Sequence, residues 1–283
     1  MYRVKKVLNH NAVITVYSEN NKEYLILGKG IGFGRKVSER IEVRPEDTVY
    51  FLQESTDRGD AWEMARTIDP ECLEIADEIL NEAEKTFGKI DRSILFPMAD
   101  HIEYAVKRVK NREQISNPLT EDIRILFHME YKVALCIVPI LERRMGIRME
   151  EDEVGYIALH IHSAIEDEKV SQAMQMAQAV RECISLVENE IGKSIDVMSL
   201  SYNRLMNHIR YMVARAISGE KLKVNMNDYM EIKFPRAFQM AKTVCEQIGH
   251  SLKCELNDVE IGYLAMHIER VTSSELDTEE NEG

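Results

Sequence analysis

The pattern of apolar and polar positions changes character once along this chain. Over the first 55 residues it reads as strands. Val13-Ile14-Thr15-Val16-Tyr17 is rich in β-branched residues. Ser18-Glu19-Asn20-Asn21-Lys22 is a turn signal, and Glu23-Tyr24-Leu25-Ile26-Leu27 returns as the second strand of a hairpin. A glycine-rich loop follows from Gly28 to Gly34, and Val49-Tyr50-Phe51-Leu52 is a last short strand. So small a sheet buries little surface alone, and dimerisation is expected to complete its core. Residues 53–66 are polar, and a linker is placed at 57–67. From Asp69 the period becomes helical: Ile68, Cys72, Ile75, Ala76, Ile79, Leu80 and Ala83 recur at i, i+3, i+4 spacing. Helical periodicity continues nearly to the end, where acidic residues 277–283 are expected to be disordered.

The helical part is a duplication. Asp100-His101-Ile102-Glu103-Tyr104-Ala105-Val106-Lys107-Arg108 matches Asn207-His208-Ile209-Arg210-Tyr211-Met212-Val213-Ala214-Arg215. The stretch from Glu153 to Ile161 matches that from Glu260 to Ile268, with the shared pattern E-[VI]-G-Y-[IL]-A-[LM]-H-I. Both matches fall at an offset of 107 residues, and in each copy the two histidines lie 59 apart. Equal spacing in both copies means two versions of one domain. The predicted architecture is multidomain, β followed by all-α. A small antiparallel sheet domain occupies 1–56, and two homologous helical bundles occupy 68–170 and 171–276.

Charge divides the chain at nearly the same place. Residues 1–44 hold nine Lys/Arg against four acids, a balance of +5, so the net −13 of the whole leaves −18 on the remainder. The basic module suits a phosphate backbone, where Lys and Arg release condensed counterions. The acidic body would repel nucleic acid. The longest apolar run, Ala134 to Leu141, is eight residues, well short of the roughly 20 that a membrane span requires. The N-terminus carries no signal-type apolar stretch, so the cytoplasm is the expected compartment. Five scattered cysteines, none in a C-x-x-C pair, read as reduced thiols.

Each helical repeat supplies one histidine in H-I-x-Y and one in A-[LM]-H-I, namely His101 and His160, then His208 and His267. A single histidine beside apolar helix residues is ordinarily a packing residue. Recurrence of the pair turns attention to function. Metal binding would need ligands at i, i+4 or cysteines at ligand spacing, and neither is present. Acid–base or nucleophilic catalysis has no accompanying G-x-S-x-G, Walker loop or carboxylate pair. The loop at 28–34 fails G-x-G-x-x-G because Phe33 stands at the third glycine. Phosphorylation of a neutral ring nitrogen needs no further machinery. The added charge would be repelled near Asp100 and could pair with Arg108 or Arg215. No cofactor, metal or enzymatic activity is expected. His10, His128, His162 and His250 have no partner in the repeat register.

These residues resemble the transcriptional antiterminators controlled by the sugar phosphotransferase system, over essentially the whole chain. Val4-Lys5-Lys6-Val7-Leu8-Asn9-His10-Asn11 and Leu27-Gly28-Lys29-Gly30-Ile31-Gly32-Phe33 look like that family's RNA-binding signature. Gly30-Ile31-Gly32-Phe33-Gly34 and the run from Ala158 to Ala164 look most like members serving glucose operons. The resemblance implies a dimeric N-terminal domain that binds a hairpin in nascent mRNA and so excludes a terminator. It implies RNA contacts at Lys6, Asn11, Gly28, Lys29 and Phe33, and phosphorylation of His101, His160, His208 and His267. Lysines suit phosphates, whereas an aromatic ring and amide or backbone groups suit unstacked loop bases. Packing inside the sheet is the competing role for Phe33, and positive φ that for Gly28 and Gly30. The implied partners are the leader RNA, the phosphocarrier HPr, the sugar-permease EIIB domain and a second copy of the chain. In this family the permease inactivates through the first repeat and HPr favours activity through the second. A DNA-binding activator with the same helical domains is the competing class, but the front segment reads as β and is short for a helix-turn-helix. A histidine-dependent metalloenzyme is a third.

Overall fold

The structure is a computed structural model that describes residues 1–52, 60–113, 115–166, 169–192 and 194–280, with side chains through residue 273. The chain forms two compact units, Met1–Val170 and Ser171–Gly283.

The first unit opens with a five-stranded antiparallel sheet: β1 (Tyr2–Val7), β2 (Ala12–Tyr17), β3 (Glu23–Leu27), β4 (Arg40–Ile41) and β5 (Thr48–Phe51), in the order β4-β1-β2-β3-β5. The hairpin read from the turn signal pairs Val13 with Ile26 and Thr15 with Tyr24. Alternation then sends Val4, Val13, Ile26, Ile31 and Ile41 into one small core. The β1–β2 register slips between Val4 and Lys6, a bulge that alters strand twist at this point.

A helix, α1 (Ala61–Thr67), lies within the segment expected to be a linker. Asp60 caps it by accepting from the Trp62 and Glu63 amides, while Ala61 and Ala65 are buried. The Trp62 indole donates to Glu23 on β3 at 2.8 Å, which ties the segment to the sheet. Polar composition hides these two small anchors. The rest of that expected linker, 57–59, lies outside the described residues.

The first helical bundle comprises α2 (Pro70–Phe87), a 3₁₀ turn at Arg92–Ile94, α3 (Leu95–Lys110), α4 (Thr120–Leu126), α5 (His128–Ala134), α6 (Ile137–Met145) and α7 (Glu151–Ile165). Asp69 caps α2, Pro70 takes its first turn, and Gly88 ends it. The stripe of Cys72, Leu73, Ile75, Ala76, Ile79, Leu80 and Ala83 is buried. Each large aliphatic side chain there contributes about 1.5–3 kcal/mol relative to exposure. Helix α3 packs against α2 and α7, and α5 packs against α7.

The second unit holds most of α8 (Val170–Ile191), then α9 (Leu200–Ser218), α10 (Asn227–Lys233), α11 (Pro235–Leu252) and α12 (Val259–Glu280). Helix α10 repeats α4 at the sequence offset of 107, and α11 occupies the same offset from the pair α5–α6. The first repeat breaks this helix at Leu135–Cys136 because Pro139, whose counterpart is Glu246, has no N–H for the Leu135 carbonyl. Helix α12 runs to Glu280, into the segment expected to lack structure; residues 281–283 lie outside the described ones. Among the described residues no helix is long and apolar enough to cross a membrane.

Candidate functional sites in the sheet loop and the paired histidines

Asn11 builds the glycine loop of the sheet. Its carbonyl accepts from the Gly28 amide at 2.9 Å, and its side-chain oxygen accepts from the Gly30 amide at 2.8 Å. Gly30 sits at φ 73°, where a side chain is strained. Gly28 has another reason to lack one: a Cβ there would stand 1.9 Å from the Asp47 carboxylate. Arg44 ties Asp47 to the loop by donating to both that carboxylate and the Lys29 carbonyl. Phe33 is 70 % exposed and meets the His10 ring edge-on at 5.3 Å. Core packing is therefore not its role. Lys29 is exposed in the same loop, and Lys6 is exposed on β1 just before the turn that carries His10 and Asn11. Sequence reasoning misses His10 on this face, since the repeat register says nothing about a histidine in the sheet.

The glycine loop faces α2. Asn9 and Asn11 both donate their side-chain amides to Glu74, at 2.7 and 3.0 Å, and Arg144 pairs with the same carboxylate at 3.1 Å. Asn11, Gly28, Lys29, Glu74, Asp77 and Glu78 line a cleft of about 410 Å³. A second brace joins sheet and bundle. The Tyr50 hydroxyl donates to Asp77 at 2.5 Å and accepts from Arg92 at 2.7 Å, while Arg92 also meets Asp77 and Glu84 at 2.7 Å.

Each helical repeat brings its two histidines together. His101 on α3 and His160 on α7 have ring centroids 5.6 Å apart, and His208 on α9 and His267 on α12 stack at 4.7 Å. The same nitrogens are buried without a hydrogen bond in both copies: Nε2 of His101 and His208, Nδ1 of His160 and His267. Burial, then the neighbouring His101, pushes His160 down to about 3. Burial, then His267 and Arg215, pushes His208 down to about 3. Burial with Arg270 and Arg204 also holds His267 below the ordinary histidine value. These three rings are neutral at pH 7, the nucleophilic form.

Beneath the first histidine of each pair lies a carboxylate 3 % exposed, Glu153 or Glu260. Arg108 donates Nε and Nη2 to Glu153 at 2.8 and 2.6 Å, and Arg215 donates the same two groups to Glu260 at 2.7 and 2.8 Å. Burial pushes the Glu153 carboxyl up, but His101 and Arg108 outweigh it and hold it below the usual value. The arginines expected to await a phosphate are thus already engaged. Both glutamates stand at the head of the repeated E-[VI]-G-Y pattern, so the duplication carries a signal for them that attention to histidine alone passes over. His162 is buried, 3.0 Å from Glu130 and against Phe127, in a packing role. Among the described residues no group of three or more His, Cys, Asp or Glu is placed to hold a metal ion. Burial raises the thiols of Cys72, Cys136 and Cys245 to about 12, which makes them unreactive.

Comparison with known proteins agrees with this division. The CAT RNA binding domain family matches residues 2–58, and the PRD domain family matches residues 69–164 and 181–271. The chain belongs to the family of transcriptional antiterminators that join a CAT RNA binding domain to two PRD domains. It is 28% identical to the "GlcA/glcB genes antiterminator" of Staphylococcus carnosus, with 96% of each chain covered. It is also 28% identical to the "Transcription antiterminator LicT" of Bacillus subtilis, over 95% of this chain and 98% of that one. The crystal structure of GlcT CAT-PRDI superposes with a TM-score of 0.50 at 28% identity, covering 58% of this chain and 98% of that one.

Proposed function

We propose that this antiterminator binds a hairpin in a nascent mRNA leader through Lys6, Asn11, Gly28, Lys29 and Phe33, and that histidine phosphorylation sets whether it does so. The chain acts as a homodimer in the cytoplasm and catalyses no reaction of its own. The sugar-permease EIIB domain phosphorylates His101 and His160 and inactivates it when sugar is absent. HPr phosphorylates His208 and His267 and favours activity. The inducing sugar is of the glucose type.

The observation that carries this reading is the pairing of the histidines. Residues 59 apart in sequence meet at 5.6 Å in one repeat and 4.7 Å in the other. Three of the four rings are held uncharged. A phosphoryl group on either ring of a pair places new negative charge close to a buried glutamate–arginine pair whose charges already balance without it. Packing of α3 on α7, and of α9 on α12, is what such a charge disturbs. Elsewhere in the first unit, the glycine loop is hydrogen-bonded to Glu74 rather than open.

The test is incubation of the full chain with enzyme I, HPr and permease EIIB, followed by mapping of phosphohistidines and a gel shift with leader hairpin RNA. Labelling at the four histidines and a labelling-dependent shift are expected. No labelling, or a preference for duplex DNA over the hairpin, overturns the reading.

A further inference from the structure

The two repeats treat their first histidine differently, and the difference lies in how the arginine grips the buried glutamate. In the first repeat both Arg108 donors converge on Oε1 of Glu153, and Oε2 stands 3.0 Å from Nε2 of His101. Neither atom makes a hydrogen bond to any other group. In the second repeat Arg215 takes both oxygens of Glu260, Oε1 at 2.7 Å and Oε2 at 2.8 Å, and Nε2 of His208 lies 3.9 Å away. That exceeds hydrogen-bond distance.

We infer that Glu153 is a positioning residue for phosphoryl transfer onto Nδ1 of His101, and that the second repeat lacks this assistance at His208. The inference rests on the reading of His101 as a phosphoacceptor. An ionised carboxylate can only accept. A lone pair on Nε2 would face the lone pairs of Oε2 across 3.0 Å in a buried site, so Nε2 is the nitrogen that carries the proton. The lone pair is then on Nδ1. Access agrees with this: Nε2 is buried, and the 18% of the side chain that remains exposed lies on its other atoms. Nδ1 is the only ring nitrogen left for a donor to reach.

The step balances without a further reactant. The Nδ1 lone pair attacks phosphorus of a phosphohistidine donor and forms the new P–N bond. The donor's P–N bond breaks, and its electron pair returns to the donor ring, which is protonated beforehand on its other nitrogen and so leaves as a neutral imidazole. His101 keeps its Nε2 proton, so its ring becomes an imidazolium bearing the phosphoryl group. Glu153, already ionised, stabilises that cation as it forms, the part an orienting carboxylate plays beside a histidine that acts as general base. Glu260 offers His208 no such contact, and Arg215 lies on the unfavourable side of the charge balance there.

The proposal is tested on the full chain labelled with ¹⁵N-histidine. Before phosphorylation, the nitrogen spectrum should show His101 protonated at Nε2 and not at Nδ1. Treatment with potassium phosphoramidate, which needs no donor protein, should then couple phosphorus to Nδ1 of His101, faster than any labelling of His208. Glu153→Gln should slow labelling of His101 roughly tenfold, the scale on which partners that orient a histidine act, and Glu153→Asp should recover part of that rate. Glu260→Gln should leave His101 unchanged. The wild-type tautomer and the site of attachment do not depend on any variant folding. A proton on Nδ1, phosphorus on Nε2 of a labelled His101, or an unslowed Glu153→Gln overturns the inference alone. A His101 that neither phosphoramidate nor the phosphotransferase proteins label overturns the phosphoacceptor reading beneath it.

Discussion

Asn11 donates its side-chain amide to Glu74 across 3.0 Å while its own oxygen holds the Gly30 amide. One residue therefore both shapes the glycine loop and fastens it to α2. RNA that used the Asn11 amide would have to displace Glu74 and would meet Asp77 and Glu78 in the same cleft. Glu74→Ala should raise hairpin affinity about tenfold (1.4 kcal/mol), the lower end of what a hydrogen bond to a charged group is worth. Titration by gel shift measures it at fixed salt. Unchanged or weaker binding would mean that RNA does not compete with Glu74.

Phe33 stands 70 % exposed with the His10 ring edge-on against it. Phe33→Ala should leave the thermal midpoint of the sheet in place. Hairpin binding should weaken by about 1–3 kcal/mol, the range for one stacked base, or roughly 5- to 150-fold. By contrast, Lys6→Ala should lower affinity for any RNA and reduce the slope of log K against log salt by about one. Exchange of these two outcomes would reverse the assigned roles.

Much of this architecture is legible in the pattern of residues alone. The β-branched run at Val13–Tyr17, the helical stripe from Ile68 to Ala83 and the constant offset of 107 residues each correspond to an observed element. What escapes such a reading depends on tertiary partners. Helix α1 is held by one cap and by Trp62 reaching Glu23, contacts that leave no periodicity in a polar segment. Glu153 and Glu260 are visible as repeated letters. Their roles follow from facing arginines 45 positions away across two packed helices. The contact between Asn11 and Glu74 joins residues 63 apart in two different domain types, where no sequence period extends.

Arg108 neutralises a carboxylate that is only 3 % exposed. Arg108→Ala should cost about 3 kcal/mol, because the buried charge is left behind. Pairing it with Glu153→Gln should restore part of that loss, a coupling that a double-mutant cycle in urea would quantify. Strict additivity would show that the two side chains do not act as a unit.

His101→Asp places a fixed charge where a phosphoryl group would sit and should weaken antitermination. His101→Ala removes the acceptor and should make it sugar-independent. A leader–reporter fusion distinguishes them, and two variants that behave like the parent would exclude His101 from control.

Acid sensitivity follows from the histidine pairs. An unfolded histidine takes up its proton near pH 6.5, whereas folded His160 and His208 do so only at about 3. Between those values the unfolded chain binds more protons, so stability rises with pH. The contribution is complete above about pH 6.5 and is lost as pH falls towards 3. Glu153, also held below its ordinary value, adds loss in the same direction at the acid end. Urea unfolding at pH 7, 6 and 5 should therefore show a steady decline, with up to 1.36 kcal/mol per pH unit for each proton involved. His160→Gln and His208→Gln should each flatten that decline, whatever their effect on stability at pH 7. A variant as steep as the parent would place the titrating proton outside these two rings.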